Sequence, residues 1–248
     1  MRTAIAGLLF VAAMAMVAVT MPGFVPKARA ADEAEIEAVV RKLLTEKPEI
    51  VIDAIRAYQA KEEAAKADRQ RDTLTSHKDT IYNNAADPAI GSPDAKITLV
   101  EFFDYRCGYC KRSLQNVLDL VDGNPDVRVV FKELPILGPE SLAATRVSLA
   151  LQKVAPQHYR AFHTATMRHR GALTEDALMK IVAAAGADTA AVETAMKDPS
   201  VDETIRANHA LADALGIRGT PAFIIGDHVI PGAASLETLE HLVDQQRS

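Results

Sequence analysis

The chain has 248 residues, 48% of them hydrophobic and 25% charged, with 12 Gly, 12 Pro and a mean hydropathy near zero. That balance excludes collagen-like, low-complexity and wholly disordered chains. A formal charge of −5, without a Lys/Arg stripe interleaved with aromatics, argues against nucleic acid or an anionic lipid surface as a partner.

The first element is apolar. Residues 4–25 carry no charge, Arg2 precedes them, and Ala28-Arg29-Ala30 closes the segment in the small-x-small pattern of a signal-peptidase site. Residues 1–30 therefore read as an export signal, with an uncleaved anchor as the alternative. It is the only long uncharged apolar stretch, so a polytopic membrane protein is excluded. Cleavage after Ala30 removes Arg2, Lys27 and Arg29 and no acid, which takes the formal charge from −5 to −8.

Next comes a helical arm. Ile36, Val39, Val40, Leu43 and Leu44 recur at helical spacing, and Pro48 suits the first position of a second helix bearing Val51, Ile52, Ile55 and Tyr58. Two short apolar faces cannot make a core alone. They can associate with the same segment of another subunit, the favoured expectation, or pack on the rest of the chain. Residues 59–72 are charged and Ala-rich with no apolar stripe, as in a solvated helical linker.

A short strand is expected at residues 80–82. A stronger one follows in Ile97-Thr98-Leu99-Val100-Glu101-Phe102-Phe103-Asp104, apolar enough to be buried at the centre of a sheet. After it, Leu114, Val117, Leu118 and Val121 repeat at helical spacing. The only two cysteines, Cys107 and Cys110, thus fall where a strand gives way to a helix. A disulfide closing so small a loop stabilises little, and none of the seven histidines sits near the cysteines to complete a zinc site. Thiol redox chemistry is the favoured reading over a structural bridge or a metal site. The helix N-terminus, with Arg106, Lys111 and Arg112 nearby, favours the thiolate of Cys107 and marks it as the attacking nucleophile. Cys110, one turn on, is then the resolving thiol. Glu101 is either a half-exposed strand residue or, the favoured reading, a buried proton acceptor near Cys110.

A strand over residues 127–132 completes a β-α-β start. Residues 139–215 are helical in pattern, with helix starts at Thr174-Glu175-Asp176 and Asp198-Pro199-Ser200. Val201, Ile205, Ala212 and Leu215 form one apolar stripe, which Asn208 interrupts and weakens. No cofactor box is assigned to the Ala and Met residues of this stretch, which read as core filling. Ala222-Phe223-Ile224-Ile225 and His228-Val229-Ile230 flank Gly226-Asp227, a two-residue hairpin signal. Ser235 then caps a final helix carrying Leu236, Leu239, Leu242 and Val243.

Glu101-Phe102-Phe103-Asp104-Tyr105-Arg106-Cys107-Gly108-Tyr109-Cys110, with Gly219-Thr220-Pro221-Ala222-Phe223 downstream, resembles the thioredoxin superfamily and, within it, the DsbA-like and DsbC-like periplasmic thiol-disulfide oxidoreductases. The segment Leu134-Pro135-Ile136-Leu137-Gly138-Pro139-Glu140-Ser141 looks like that of the DsbA-like group containing the ScsC proteins. The fold implied is α/β: a thioredoxin fold with an inserted helical domain, preceded by an N-terminal helical arm. Its expected divisions are a signal at 1–30, an oligomerisation arm and linker at 31–72, and a catalytic domain at 73–248 with its insert at about 139–200. The resemblance also implies a cis Pro221 facing the cysteines, with the backbone of Thr220 pairing with the client chain.

Gly108 and Tyr109 form the dipeptide of DsbC-like isomerases, where DsbA-like oxidases carry Pro-His, and Thr220 likewise matches the isomerase type more than the oxidase's Val. A disulfide isomerase or reductase in the periplasm is the expectation, with a dithiol oxidase or a client-binding holdase as alternatives. Copper stress, with which ScsC-like proteins are associated, would be a physiological context, because the sequence has no Met- or His-rich copper tract. The implied partners are unfolded or misbridged exported proteins, a second copy of the chain, and a membrane redox partner. That partner would be DsbD-like or ScsB-like for an isomerase and DsbB-like for an oxidase. No metal or cofactor is called for.

Overall fold

The structure is a computed structural model and describes residues 32–247. The expected export signal lies outside them. Among the described residues no helix is long and apolar enough to cross a membrane. The chain divides into two compact units, one ending at Gln59 and one beginning at Ala60.

In the first unit, α1 (Glu33–Glu46) carries Glu33 and Glu35 in its first turn, where acids complement the positive helix end. It stops at Lys47, whose N–H bonds to the Leu43 carbonyl, because Pro48 follows and has no N–H to continue the ladder. α2 (Glu49–Ser76) begins there, and the division between the units falls within it. Ile36, Val39, Val40, Leu43, Leu44, Val51, Ile52, Ile55 and Tyr58 are all exposed, Val39 at 64% and Tyr58 at 66%.

The second unit is built on a five-stranded sheet of order β1-β3-β2-β4-β5. Its strands are β1 (Ala89–Gly91), β2 (Ile97–Phe103), β3 (Val127–Glu133), β4 (Ala222–Ile225) and β5 (His228–Pro231). β2 and β3 are parallel, in register from Ile97↔Val127 to Phe103↔Glu133, and every other pairing is antiparallel. A parallel pair needs a crossover, supplied by α4 (Gly108–Gly123). Leu99 and Phe103 of β2 enter one core with Leu114, Val117, Phe131, Phe162 and Leu239, while Val100 and Phe102 enter a second core with Ile81, Leu134, Leu211 and Ile224.

The expected strand at residues 80–82 is instead part of a helix, α3 (Lys78–Tyr82). Thr80, Ile81 and Tyr82 suit a strand by side-chain type, but tertiary packing overrides that preference. Ile81 is fully buried in the second core, its N–H bonds to the His77 carbonyl at 2.8 Å, and the buried Lys132 ammonium donates to the Thr80 carbonyl. The edge position belongs to β1, where Gly91 sits at φ +99° and a Cβ would meet the Val127 carbonyl oxygen at 2.7 Å. Only glycine fits that approach.

After β3 come α5 (Pro139–Val154), a 3-10 turn (Pro156–His158), α6 (Tyr159–Arg168), α7 (Glu175–Ala184) and α8 (Thr189–Ala195). α9 (Pro199–Ala214) returns the chain to the sheet, and α10 (Leu236–Arg247) closes the fold after the hairpin. Caps sit where the sequence places them: Thr174 accepts from Ala177 N, Asp198 from Ser200 N and Ser235 from Thr238 N. Asn208, which interrupts the α9 stripe in sequence, is buried and donates to the Glu133 carbonyl at 3.3 Å. It joins α9 to the end of β3 and does not weaken the contact.

Lys132 and Asp87 form a fully buried ion pair between β3 and the turn before β1. Removing one partner strands the other in a dry core. Lys132→Met should therefore cost about 3–5 kcal/mol of stability in urea unfolding, and adding Asp87→Leu should restore much of it. A double variant as unstable as the single would show that the cost comes from packing and not from the stranded charge.

Candidate active site

The Asp104 carboxylate organises the loop from which α4 starts. It accepts from Arg106 N at 2.6 Å, Ile136 N at 2.9 Å, Leu137 N at 3.0 Å and the Ser141 hydroxyl at 2.7 Å. Arg106 in turn pairs with Glu140, which also accepts from Leu173 N at 2.9 Å. The loop before α4 is thereby tied to the β3–α5 connection and to the chain entering α7.

Cys107 is the residue before the first turn of α4, with extended backbone at φ −69° and ψ 116°. Its Sγ accepts from Cys110 N at 3.4 Å and lies 3.2 Å from the Thr220 carbonyl oxygen, to which the thiol donates. The Thr220–Pro221 peptide is cis. Both cysteines are free and buried, Cys107 at 5% exposure and Cys110 at 0%, so only the first has a path to solvent. Gly108 opens the helix, where a Cβ would come no nearer than 3.7 Å, to the Arg112 guanidinium. Tyr109 is 60% exposed, with the Arg112 guanidinium stacked 4.1 Å over its ring.

Glu101 is on β2, 2% exposed, and one of its carboxylate oxygens, Oε1, has no hydrogen-bond partner among the described residues. Burial, and then the charge of Cys107, push its carboxyl up to about 8. Burial also pushes the Cys110 thiol far above its ordinary value, with the Glu101 charge the next contribution. Burial thus holds both acids toward their neutral forms, and the Glu101 charge adds to that effect on Cys110. Cys107, Cys110, Thr220 and Pro221 thus meet at one point, Glu101 is electrostatically linked to both thiols, and Gly108 and Tyr109 form the rim.

Sequence reasoning missed Asp104, three of whose four partners lie more than thirty residues downstream, and the buried group around His163. Tyr105 and Tyr159 hydroxyls approach His163 Nδ1 at 3.3 and 3.2 Å, and Tyr105 also bonds Ser148 at 2.8 Å. Burial lowers His163 to about 3, so the ring is neutral. Phe103, Tyr105, Phe131 and Tyr159 surround it with ring centroids 4.4–5.6 Å away. The signal available in sequence was the aromatic spacing, which reads equally well as ordinary core. Among the described residues there is no cluster of three or more His, Cys, Asp or Glu side chains able to hold a metal.

Comparison with known proteins bears on this geometry. Residues 98–244 match the DSBA-like thioredoxin domain family. A linker-deletion mutant of ScsC from Proteus mirabilis is 35% identical, with a TM-score of 0.67 over 89% of this chain and 97% of that one. A periplasmic thioredoxin-like protein from Salmonella enterica serovar Typhimurium is 38% identical, with a TM-score of 0.63 over 68% of this chain and 94% of that one. The thiol:disulfide interchange protein DsbA of Bordetella parapertussis is 29% identical over 180 residues, 67% of this chain and 84% of that protein.

Two outcomes follow from the geometry. Asp104→Ala strands three N–H groups and should cost roughly 2–4 kcal/mol in urea unfolding; a cost below about 1 kcal/mol would mean that water replaces the carboxylate. For Glu101, folding raises the carboxyl from its ordinary 4.5 to about 8. Between those values the folded chain holds a proton that the unfolded chain has lost, so this group's contribution to stability falls as pH rises through that window. Glu101→Gln should therefore lose less stability than the parent between about pH 5 and about pH 8, by on the order of 1–3 kcal/mol with the cysteines reduced. Parallel pH curves would show that the carboxyl is not the titrating group.

Proposed function

The chain belongs to the DSBA-like thioredoxin domain family of thiol-disulfide oxidoreductases, and we propose that it works in the periplasm as a disulfide isomerase or reductase, assembled into an oligomer through α1 and the start of α2. The observation that carries the chemistry is the asymmetric thiol pair: Cys107 at the mouth of the site beside the Thr220 carbonyl, and Cys110 wholly buried behind it.

In this reading the Cys107 thiolate attacks one sulfur of a client disulfide. A new S–S bond forms, the client's bond breaks, and the departing client sulfur leaves as a thiolate that takes up a proton. Extended client backbone lies against Thr220 and Pro221 during this step. In isomerisation the freed client thiol attacks another bridge and a client thiolate finally displaces Cys107, with no net change in electrons. If rearrangement stalls, Cys110 gives its proton to Glu101 in the ionised form of that carboxyl and attacks Cys107 Sγ. The client then leaves as a dithiol, reduced by two electrons, and Cys107–Cys110 is left as a disulfide for a membrane reductant of the DsbD or ScsB type to restore.

Gly108, Tyr109 and Thr220 support the isomerase side, being the residues that accompany that activity in related enzymes. The arm supports it too: apolar side chains on α1 and α2 stand in water, an arrangement that a second copy would cover, and the likeness to ScsC spans 89% of the chain. Several sites around one misbridged client favour rearrangement. The leader-like sequence pattern of residues 1–30 and the description of the Salmonella relative as periplasmic support the compartment.

Scrambled, wrongly bridged ribonuclease tests the reading. The chain from Ala31, supplied reduced, should restore ribonuclease activity. Cys107→Ala should fall to the uncatalysed rate, and Cys110→Ala should accumulate mixed disulfides on Cys107. Leu43→Asp with Ile55→Asp should break the oligomer in sedimentation and lower the reactivation rate. If the protein leaves scrambled ribonuclease untouched yet oxidises reduced ribonuclease, it is a dithiol oxidase served by a DsbB-like partner.

A further inference from the structure

Beside Pro221 opens a cleft of about 920 Å³. Leu215, Ile217, Pro221, Ala222, Val229 and Pro231 give it an apolar floor, and Tyr109 stands at its rim. Its remaining wall is α2 beyond Ala60, which presents Lys66, Arg69, Gln70 and Thr73. Those four are spaced as one face of a helix.

The charges on this wall run against the rest of the molecule. The chain is acidic overall, yet every charged side chain lining the cleft, Lys66, Arg69 and Arg218, is basic. Arg218 is paired with Asp213 at 2.9 Å. Lys66 and Arg69 make no ion pair among the described residues, although cations elsewhere on the same helix do: Arg56 with Asp53 and Arg71 with Asp68. Glu62, Glu63, Asp68 and Asp72 belong to the same stretch of α2, and none of them lines the cleft. An apolar trough beside the reacting sulfur, with two unpaired cations along one side, suits a segment that is apolar toward the floor and carries a carboxylate toward the helix.

We propose that Lys66 and Arg69 are specificity residues, which make the cleft favour client segments bearing Asp or Glu near the cysteine that Cys107 attacks. This rests on Cys107 being the nucleophile and the cleft its client site. The arm helix then selects the substrate in addition to whatever assembly it supports, and basic client segments are disfavoured by like charge.

The test uses the full chain from Ala31 carrying Cys110→Ala, so that captured peptides stay bound. The probes are peptides identical except for Glu, Gln or Lys at the positions flanking one cysteine, each activated as a mixed disulfide with nitrothiobenzoate. Attack by Cys107 on the peptide sulfur forms the mixed disulfide and releases coloured nitrothiobenzoate with the electron pair of the broken bond. At low salt the Glu peptide should be captured about tenfold faster than the Lys peptide, with the Gln peptide between them, and the spread should shrink as salt is raised. Lys66→Glu with Arg69→Glu should invert the order, and Lys66→Gln with Arg69→Gln should level it. Because the result is a ratio between peptides on one protein, a change in thiol reactivity cancels. Equal rates for all three peptides on the parent, or a Glu preference that survives the charge reversal, would overturn the proposal. Failure to capture any peptide while the same protein still releases nitrothiobenzoate from Ellman's reagent would overturn the cleft as client site, and this proposal with it. Failure with both would overturn Cys107 as nucleophile.

Discussion

One carboxylate holds the reactive loop in shape. Asp104 follows the last residue of β2, and its two oxygens take four donors drawn from its own loop, from the β3–α5 connection and from the first turn of α5. A charge accepting that many bonds in a closed site is stiff, because losing any one donor strands it. The start of α4, and with it both sulfurs, is therefore placed by a network anchored outside the helix. Glu140 extends the brace to the approach of α7 through Arg106 and Leu173, so the inserted helices help fix the geometry of the thiol pair.

Beneath the loop the protein buries several ionisable side chains. Glu101, Glu133, Lys132, Asp87, Asp104 and His163 are all withdrawn from water. Three of them are shifted in opposed senses: burial raises Glu101 and Glu133 to about 8 and lowers His163 to about 3. The carboxyls favour the folded state at lower pH and lose that effect as pH rises from 4.5 toward 8, whereas the neutral histidine loses its contribution as pH falls from 6.5 toward 3. These groups taken together are least costly near weak acidity. Withdrawing these groups from water costs stability.

Much of this was legible because it is local. The strand-to-helix junction at the cysteines, the caps at Thr174, Asp198 and Ser235, and the Gly226-Asp227 hairpin each depend on residues within a few positions of one another, and periodicity and turn chemistry report those directly. What escaped depends on distant partners. Residues 80–82 have strand-like side chains, but Ile81 packs into a core and Lys132, some fifty residues on, takes the Thr80 carbonyl. Asn208 looked like a flaw in a stripe until the end of β3 supplied its acceptor. Lys66 and Arg69 lie in what reads as featureless linker, because their meaning comes from a cleft built mostly by residues 214–233.

The sulfur of Cys107 also serves as the cap of a helix. In the reduced protein it accepts the Cys110 N–H at 3.4 Å, the position a Ser or Asp oxygen would fill at an ordinary N-terminus. A sulfur bound into a disulfide is a poorer acceptor, so each oxidation of the pair also weakens a helix cap. A cap that is stronger in the reduced state favours the dithiol over the disulfide form. The electrochemistry of the pair is thus written partly into the secondary structure, and the start of α4 carries part of the cost of every turnover.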